Sequence, residues 1–508
     1  MRVLIKNINK EIFMVTFLLG IAALILGYIV YGKVVEKIFR PNASAVTPAF
    51  RMKDNVDYVP MAKWRATALQ LINIAGTGPI FGAIAGALFG PAAFIWIVFG
   101  CLLAGAVHDY MIGMISVRQD GTNVAEIVGK YLGNKPRYIM RVFSLVLLIF
   151  VGVVFVTTPA QVLGTIFAPG NLTFLYIAVA CIIFYYIIAT ILPIDKIVAR
   201  VYPIFGAIII FMGVSMFIML FVSGDIRNIP EFSFQNMRPD RDINILARIF
   251  PFLFITIACG AISGFHATQA PIVARCLKNE KEGRAAFYGA MVLEGIVAMI
   301  WAAVTMGHFH HVGVSTAVAA PVIVTQSAIA YMGAIGGTLA VIGVALFPIT
   351  SGDSAFRSAR LIVADTLKLN QKPVKNRLAV ALPLFAVGIP LVVFALANVQ
   401  NFNIIWRYFA WSNQTLATIG LWAASAYLAK TGKMYWIALV PATFMTSVVT
   451  AYFFTANETI GPLMTRLTGS PETTWIVGIV MGIAAAVTVF SLFVRLIGTK
   501  QKGTIREN

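Results

Sequence analysis

Charged residues are scarce in this chain: Asp, Glu, Lys and Arg make up 12% of its 508 residues, against about a quarter in soluble domains. Together with a 59% hydrophobic content, that shortage excludes a water-soluble globule and leaves a polytopic membrane protein. Cysteine is rare too. Cys101, Cys181, Cys259 and Cys276 lie within or at the ends of apolar segments and show no C-x-x-C spacing, which argues against a disulfide framework or a structural zinc site. No G-x-x-x-x-G-K-S/T loop is present, and no soluble stretch is long enough for an ATPase domain. Nor does a Ser–His or metal-ligand motif support a membrane-embedded hydrolase. The chain reads as no enzyme, with no cofactor and no resident metal.

Basic residues outnumber acidic ones, 39 against 20, for a formal net charge of +19. They sit in short clusters between apolar segments, so the excess reads as membrane topology and not as a nucleic-acid surface. Runs long enough to span a bilayer fall at about 12–31, 66–90, 91–116, 140–167, 173–193, 201–223, 249–275, 285–308, 333–356, 378–398, 402–429, 434–454 and 474–497. Ala43-Ser44-Ala45 lies well beyond the end of the first run, which is therefore expected to stay as an anchor and not to be cleaved as a signal peptide. Lys33, Lys37, Arg40, Arg51, Lys53, Lys63 and Arg65 precede the second run, and Arg118, Lys130, Lys135 and Arg137 follow the third. Arg275, Lys278, Lys281 and Arg284 follow the seventh, and Arg360, Lys368, Lys372, Lys375 and Arg377 the ninth. If thirteen spans alternate, these clusters share one face, while the connections after spans two, four, eight and ten carry no Lys or Arg. That asymmetry puts the basic side and the C-terminus in the cytoplasm and the N-terminus outside. The exception, with Arg227, Arg238, Arg241 and Arg248, is offset by Asp225, Glu231, Asp240 and Asp242.

Two of the runs are interrupted. Asn73-Ile74-Ala75-Gly76-Thr77-Gly78-Pro79 breaks the second, and Cys259-Gly260-Ala261-Ile262-Ser263-Gly264-Phe265-His266 the seventh. Irregular backbone at membrane depth is tolerated only where protein buries it or where it lines a polar cavity. Paired breaks in corresponding halves point to the binding site of a secondary transporter, which would draw on an ion gradient or on its substrate's own gradient. With the first run set aside, five spans run from Ala66 to Ser223 and five from Ile249 to Ala429, and an odd number per unit inverts the second relative to the first. The expected division is an N-terminal helix and linker (1–65), a first repeat (66–223), an outer loop (224–248), a second repeat (249–429) and two accessory helices with a tail (430–508). Val312 to Met332, apolar but rich in Ala, Ser and Thr, is expected to form a re-entrant or surface hairpin over the outer mouth.

The half-helix ends at Gly76 to Pro79 would aim backbone N–H groups and the positive end of a helix dipole into the cavity, favouring a carboxylate. A packing kink is the plainer alternative. Gln70, Asn73, Gly76, Thr77 and Gly78 from the first break, with Gly260, Ser263, Gly264 and His266 from the second, are the candidate substrate-binding residues. His266 would relay a proton or simply pack between helices. Glu294, near the middle of the eighth run, requires a partner, a water-filled cavity or a proton. Asp353 follows Thr350 and Ser351 and stands four residues before Arg357, on one helix face. Its alternatives are a cation or proton site and an ion pair snorkelling at the membrane boundary. Thr350, Ser351, Asp353 and Glu294 are thus the candidate ion-coupling residues, for H+ or Na+. His108 and Asp109, near Arg118, read as a gate or structural pair, as does Arg357. His308, His310 and His311 have no acidic or thiol companion nearby in sequence and read as a wet interface, not a metal site. Trp406, Tyr408, Trp411, Asn413 and Gln414 either line the cavity or anchor at the membrane boundary.

A series of short motifs extends these observations along most of the chain. It comprises Asp57-Tyr58-Val59-Pro60 with Lys63-Trp64, Ile74-Ala75-Gly76-Thr77-Gly78-Pro79, Gly90-Pro91-Ala92, Trp96, and Gly105-Ala106-Val107-His108-Asp109. Arg118-Gln119-Asp120-Gly121, Ala189-Thr190-Ile191-Leu192-Pro193-Ile194-Asp195-Lys196, the segment from Cys259 to His266, Asp353 with Arg357 and Arg360, and Asn413-Gln414 complete it. The series resembles the carbon starvation protein A family of bacterial transporters. The span count gives an all-α polytopic fold of about thirteen membrane helices, and the resemblance implies the five-plus-five inverted-repeat core of LeuT-like amino acid–polyamine–cation transporters, in agreement with that count. It also implies a bacterial inner-membrane location and uptake of short peptides during carbon limitation, one branch of the family instead taking up pyruvate with protons. Better-known members are longer and carry a His-His pair shortly before the first break. Leu69 and Gln70 stand at the matching positions here, so no role of that pair carries over. The expected function is ion-coupled, alternating-access import of a small carboxylated substrate, short peptides first and pyruvate second, in contact with membrane lipid. A channel or nutrient sensor is the alternative of another class, although the short tail after Leu496 leaves no room for a soluble signalling domain.

Overall fold

The computed structural model describes residues 15–191, 202–232, 236–239, 248–314, 320–371 and 373–504. Leu192 to Lys196, residues 240–242 of the outer loop and residues 315–319 of the expected hairpin lie outside them. The described segments are helical, with one isolated β-bridge between Met61 and Leu277, because hydrocarbon offers no partner to a backbone that does not bond to itself. The main helices are α1 (Val15–Phe39), the bent pair α2 (Lys63–Ile74) and α3 (Gly78–Ala87), α4 (Ala92–Arg118), α5 (Asn134–Phe167), α6 (Leu172–Ile191) and α7 (Tyr202–Val222). The pair α8 (Ile249–Thr256) and α9 (Gly264–Ala274) follows, then α10 (Glu280–Val312), α11 (Ala320–Leu367), α12 (Val374–Ala397), α13 (Val399–Lys430), α14 (Trp436–Thr455) and α15 (Pro471–Thr504).

Among the described residues nine helices are long and apolar enough to cross a membrane, ten if α2 and α3 count as one bent span. The expected run 249–275 is divided into α8 and α9. The run 402–429 lies within α13, whose Gln400, Asn401, Asn403, Arg407, Asn413 and Gln414 make it long but less apolar. Burial separates an inner set from an outer one. The most apolar stretches of α4 and α10 are 83% buried, whereas those of α1, α6 and α15 are only 22% buried. Leu19, Leu26, Phe184, Val480 and Val487 on those outer helices are exposed, as a lipid-facing surface requires. The segment preceding the ninth run doubles back: Gly333 takes φ +67°, and a Cβ on Gly337 would stand 2.7 Å from the backbone of Ile329.

Both glycine-rich interruptions are breaks. Ala75 leaves α2 with φ −78° and ψ 68°, and α3 resumes at Gly78 in a π-turn that includes Pro79, at 56° to α2. Ile257 leaves α8 with φ −93° and ψ 80°, and the chain stays irregular to Ser263 (φ −143°, ψ 125°) before α9 begins. The two breaks touch. A Cβ on Gly78 would overlap the side chain of Cys259, and one on Gly264 would stand 2.6 Å from the amide nitrogen of Ala417 on α13. Glycine at these positions lets backbone approach its neighbours this closely.

Candidate functional site

Where the breaks meet, helices α4, α9 and α10 deliver Asp109, His266 and Glu294 to one point, each side chain 0% exposed. His266 Nδ1 lies 2.7 Å from Asp109 Oδ2, and His108 Nδ1 lies 2.9 Å from the other oxygen, Oδ1. An ionised carboxylate only accepts, so both imidazoles donate to Asp109 from Nδ1, which leaves each Nε2 to face its own surroundings. His266 Nε2 faces Glu294 Oε2 at 3.1 Å, and among the described residues neither Glu294 oxygen has a well-aligned hydrogen bond. Cys259 Sγ, from the second break, lies within 4.8 Å of both His266 and Glu294. A lone pair and a carboxylate oxygen held this close in a dry site repel unless a proton sits between them.

The second break is held by side chains. Asn413 Oδ1 accepts from the Phe265 amide at 2.7 Å and the Ser263 hydroxyl at 3.1 Å, while its Nδ2 donates to Cys259 Sγ at 3.5 Å. Gln414 donates to the carbonyl of Phe254 and Trp96 to that of Ile257, each at 3.0 Å. These bonds satisfy backbone groups that leaving the helix sets free. Asn413 and Gln414 thus brace the break, whereas Tyr408 and Trp411 of the same cluster donate to the carbonyls of Glu458 and Val449.

At the first break Gln70, Asn73 and Thr77 are fully buried. Among the described residues both ends of the Gln70 amide and the Thr77 hydroxyl lack a hydrogen-bond partner, an arrangement that costs free energy unless something else supplies the bonds. Ser351 on α11 donates to the carbonyl of Ile72 at 2.7 Å, and Thr350 to that of Phe347 at 2.8 Å. Asp353 accepts from the Tyr185 hydroxyl, and Arg357 donates to the carbonyl of Ala189, both at 2.8 Å. This second group ties α11 to α2 and α6.

Arg118 is engaged away from the His108–Asp109 pair. It grips Glu280 with Nε and Nη2 at 3.1 and 2.9 Å and donates to the Tyr427 hydroxyl at 2.9 Å. His311 meets Asp225 at 2.5 Å, an acidic companion distant in sequence. A cleft of about 340 Å³ between Trp96, Phe99, Phe254 and Phe444 touches none of the buried cluster.

A helical membrane bundle with two touching broken helices at its centre has the architecture of LeuT-fold transporters. The structure resembles MhsT in complex with L-phenylalanine, with a TM-score of 0.56 at 12% identity over 85% of this chain and 99% of that one. It also resembles the manganese transporter of Eremococcus coleocola, at 0.54 and 14% over 88% and 99%. At such identities the likeness is one of fold. The family of carbon starvation protein CstA matches at residues 12–181, 171–329 and 313–452, and this chain belongs to it. It is a multi-pass secondary transporter and not an enzyme. An uncharacterized membrane protein of Haemophilus influenzae is 42% identical over 341 residues, 59% of this chain and 92% of that one. The peptide transporter CstA of Campylobacter jejuni is 27% identical across 83% and 77%. The pyruvate/proton symporter BtsT of Escherichia coli is 28% identical across 53% and 45%.

Proposed function

We propose that this transporter imports a small carboxylated nutrient, short peptides in the first place, by proton-coupled alternating access. The observation that carries the reading is the contact of the two breaks with a buried His266 set between Asp109 and Glu294. The substrate carboxylate sits against the half-helix ends at the breaks, with Gln70, Asn73, Thr77 and Ser263 as further polar partners and Gly76, Gly78, Gly260 and Gly264 allowing close approach. A proton on Glu294 lets it donate to His266 Nε2, completing a chain from His108 through Asp109 and His266 to Glu294 that draws α4, α9 and α10 together. Loss of that proton leaves like-charged oxygens and a lone pair facing one another, which favours separation of the helices. The proton thereby biases the rocking of one five-helix repeat against the other. In this reading thirteen spans place the N-terminus outside and the basic connections in the cytoplasm. Short peptides come first because relatives named as peptide transporters align along more of the chain than the pyruvate symporter does. Sodium is the second reading for the ion, supported by the Ser351 hydroxyl set against the Ile72 carbonyl of α2, with Thr350 and Asp353 on the same turns of α11.

The test is accumulation of a labelled dipeptide and of labelled pyruvate in proteoliposomes, under an imposed proton gradient and then a sodium gradient. Proton-driven accumulation of one substrate, lost in Glu294→Gln, is the expected result. Accumulation driven by sodium alone, or unchanged in Glu294→Gln, would remove the cluster from the coupling mechanism.

A further inference from the structure

We propose a second, anion-binding site centred on Arg360, which takes a carboxylate or phosphate group. It lies at the end of the bundle that carries the basic connections, and it does not depend on the coupling mechanism. Arg360 on α11 is 0% exposed, and its guanidinium has one hydrogen bond among the described residues, from Nη1 to Gln371 Oε1 at 2.5 Å. Nε and Nη2 are buried without partners, as is Gln371 Nε2. No carboxylate of the described residues lies within ion-pair distance of Arg360.

Its surroundings make this costlier still. Arg275, Arg357 and Arg377, none more than 6% exposed, stand close enough to act on it electrostatically. Asp57, 9% exposed, is the charge opposing Arg360, and Asp353, 2% exposed, opposes Arg357. Arg275 and Arg357 are tied to the backbone by bonds to Gly121 at 3.0 Å and Ala189 at 2.8 Å. A buried guanidinium with hydrogen-bonding edges left unfilled is costly. Nε and Nη2 form the side edge of the guanidinium, which holds two oxygens of one carboxylate or phosphate through parallel bonds. The free edge of Arg360, the arginines around it and the spare amide of Gln371 together define a site for an oxyanion. The anion reaches it either from solution or as the headgroup of an anionic lipid. The competing account is that Arg360 is held ready to pair with Asp57 in another conformation.

The test uses purified full-length protein in phosphate-free buffer. Thermal unfolding is followed as inorganic phosphate is added in detergent, and in nanodiscs of phosphatidylcholine compared with equal parts phosphatidylcholine and phosphatidylglycerol. Saturable stabilisation by phosphate identifies a free anion, and stabilisation by phosphatidylglycerol alone identifies a lipid headgroup. Arg360→Gln should weaken the effect about tenfold or more, since it removes a charged two-bond grip. Asp57→Asn keeps all four arginines and removes the opposing charge, so it should bind the anion more tightly, and it carries the test should Arg360→Gln fail to fold. Absence of stabilisation in both arms, an unchanged effect in folded Arg360→Gln, or weaker binding in Asp57→Asn would overturn the assignment.

Discussion

His266 and Asp109, 157 positions apart, meet at 2.7 Å with neither side chain exposed. The contact requires a hydrogen on Nδ1 of His266 and turns Nε2 toward Glu294. Asp109 accepts from both His108 and His266, and a buried donor left unmatched costs about 1–3 kcal/mol, so Asp109→Ala should unfold at a markedly lower temperature. Asp109→Asn keeps an acceptor but not the charge. It should retain most of the fold and lose proton-driven uptake, while substrate exchange without a gradient persists. Normal gradient-driven accumulation in folded Asp109→Asn would exclude Asp109 from coupling.

The contact between Gly78 and Cys259 supplies a reciprocal test. A methyl group on Gly78 would overlap both side-chain atoms of Cys259, yet the Cys259 Cα stands 3.8 Å away. Gly78→Ala should therefore abolish substrate binding by forcing the breaks apart, and Cys259→Gly in the same chain should restore a measurable part of it. Binding assays on the two single variants and the double variant check this. If Gly78→Ala binds normally, the breaks do not need their close approach.

Asn413 accepts from a backbone amide and a hydroxyl that have no water to turn to. Asn413→Ala leaves the Phe265 N–H buried and unmatched, a loss of about 1–3 kcal/mol, and loosens the start of α9 on which His266 sits. Thr418→Ala on the same helix serves as the comparison, because that hydroxyl bonds to the carbonyl of Gln414 in its own helix. Thermal unfolding should separate the two variants clearly, and equal midpoints would show that Asn413 does not brace the break.

The breaks were legible in the sequence because glycine and proline inside an apolar run leave few conformational options. The family was legible because its motifs are contiguous. What was not legible is convergence. Asp109 reads naturally with its neighbour His108 and with Arg118 one helix end away, yet one carboxylate oxygen accepts from His266 while Arg118 grips Glu280. Sequence spacing reports helix faces, not which faces of distant helices meet. Asp353 and Arg357 share a face as their spacing suggests, but their attachment to Tyr185 and Ala189 depends on the packing of α6 against α11. The histidines after Gly307 lacked an acid only along the chain, since Asp225 comes to His311 from before α8.

That last pair makes stability depend on pH. Burial alone would favour the neutral form of Asp225. The hydrogen bond from His311, the Tyr331 hydroxyl beside it, the charge of His311 and the bond from Asn228 outweigh burial and hold the carboxyl below its usual range. A carboxyl with a depressed native pKa contributes stability above its unfolded value of about 3.9 and loses it as pH falls through the native value. Asp225→Asn should therefore unfold at a lower temperature than the parent at neutral pH. The gap should narrow as the medium is acidified below about pH 4 and close once Asp225 is protonated in the folded parent. Unfolding midpoints of both proteins across an acid series decide the matter: a gap that stays constant with pH would mean that Asp225 acts through packing alone and its charge contributes nothing.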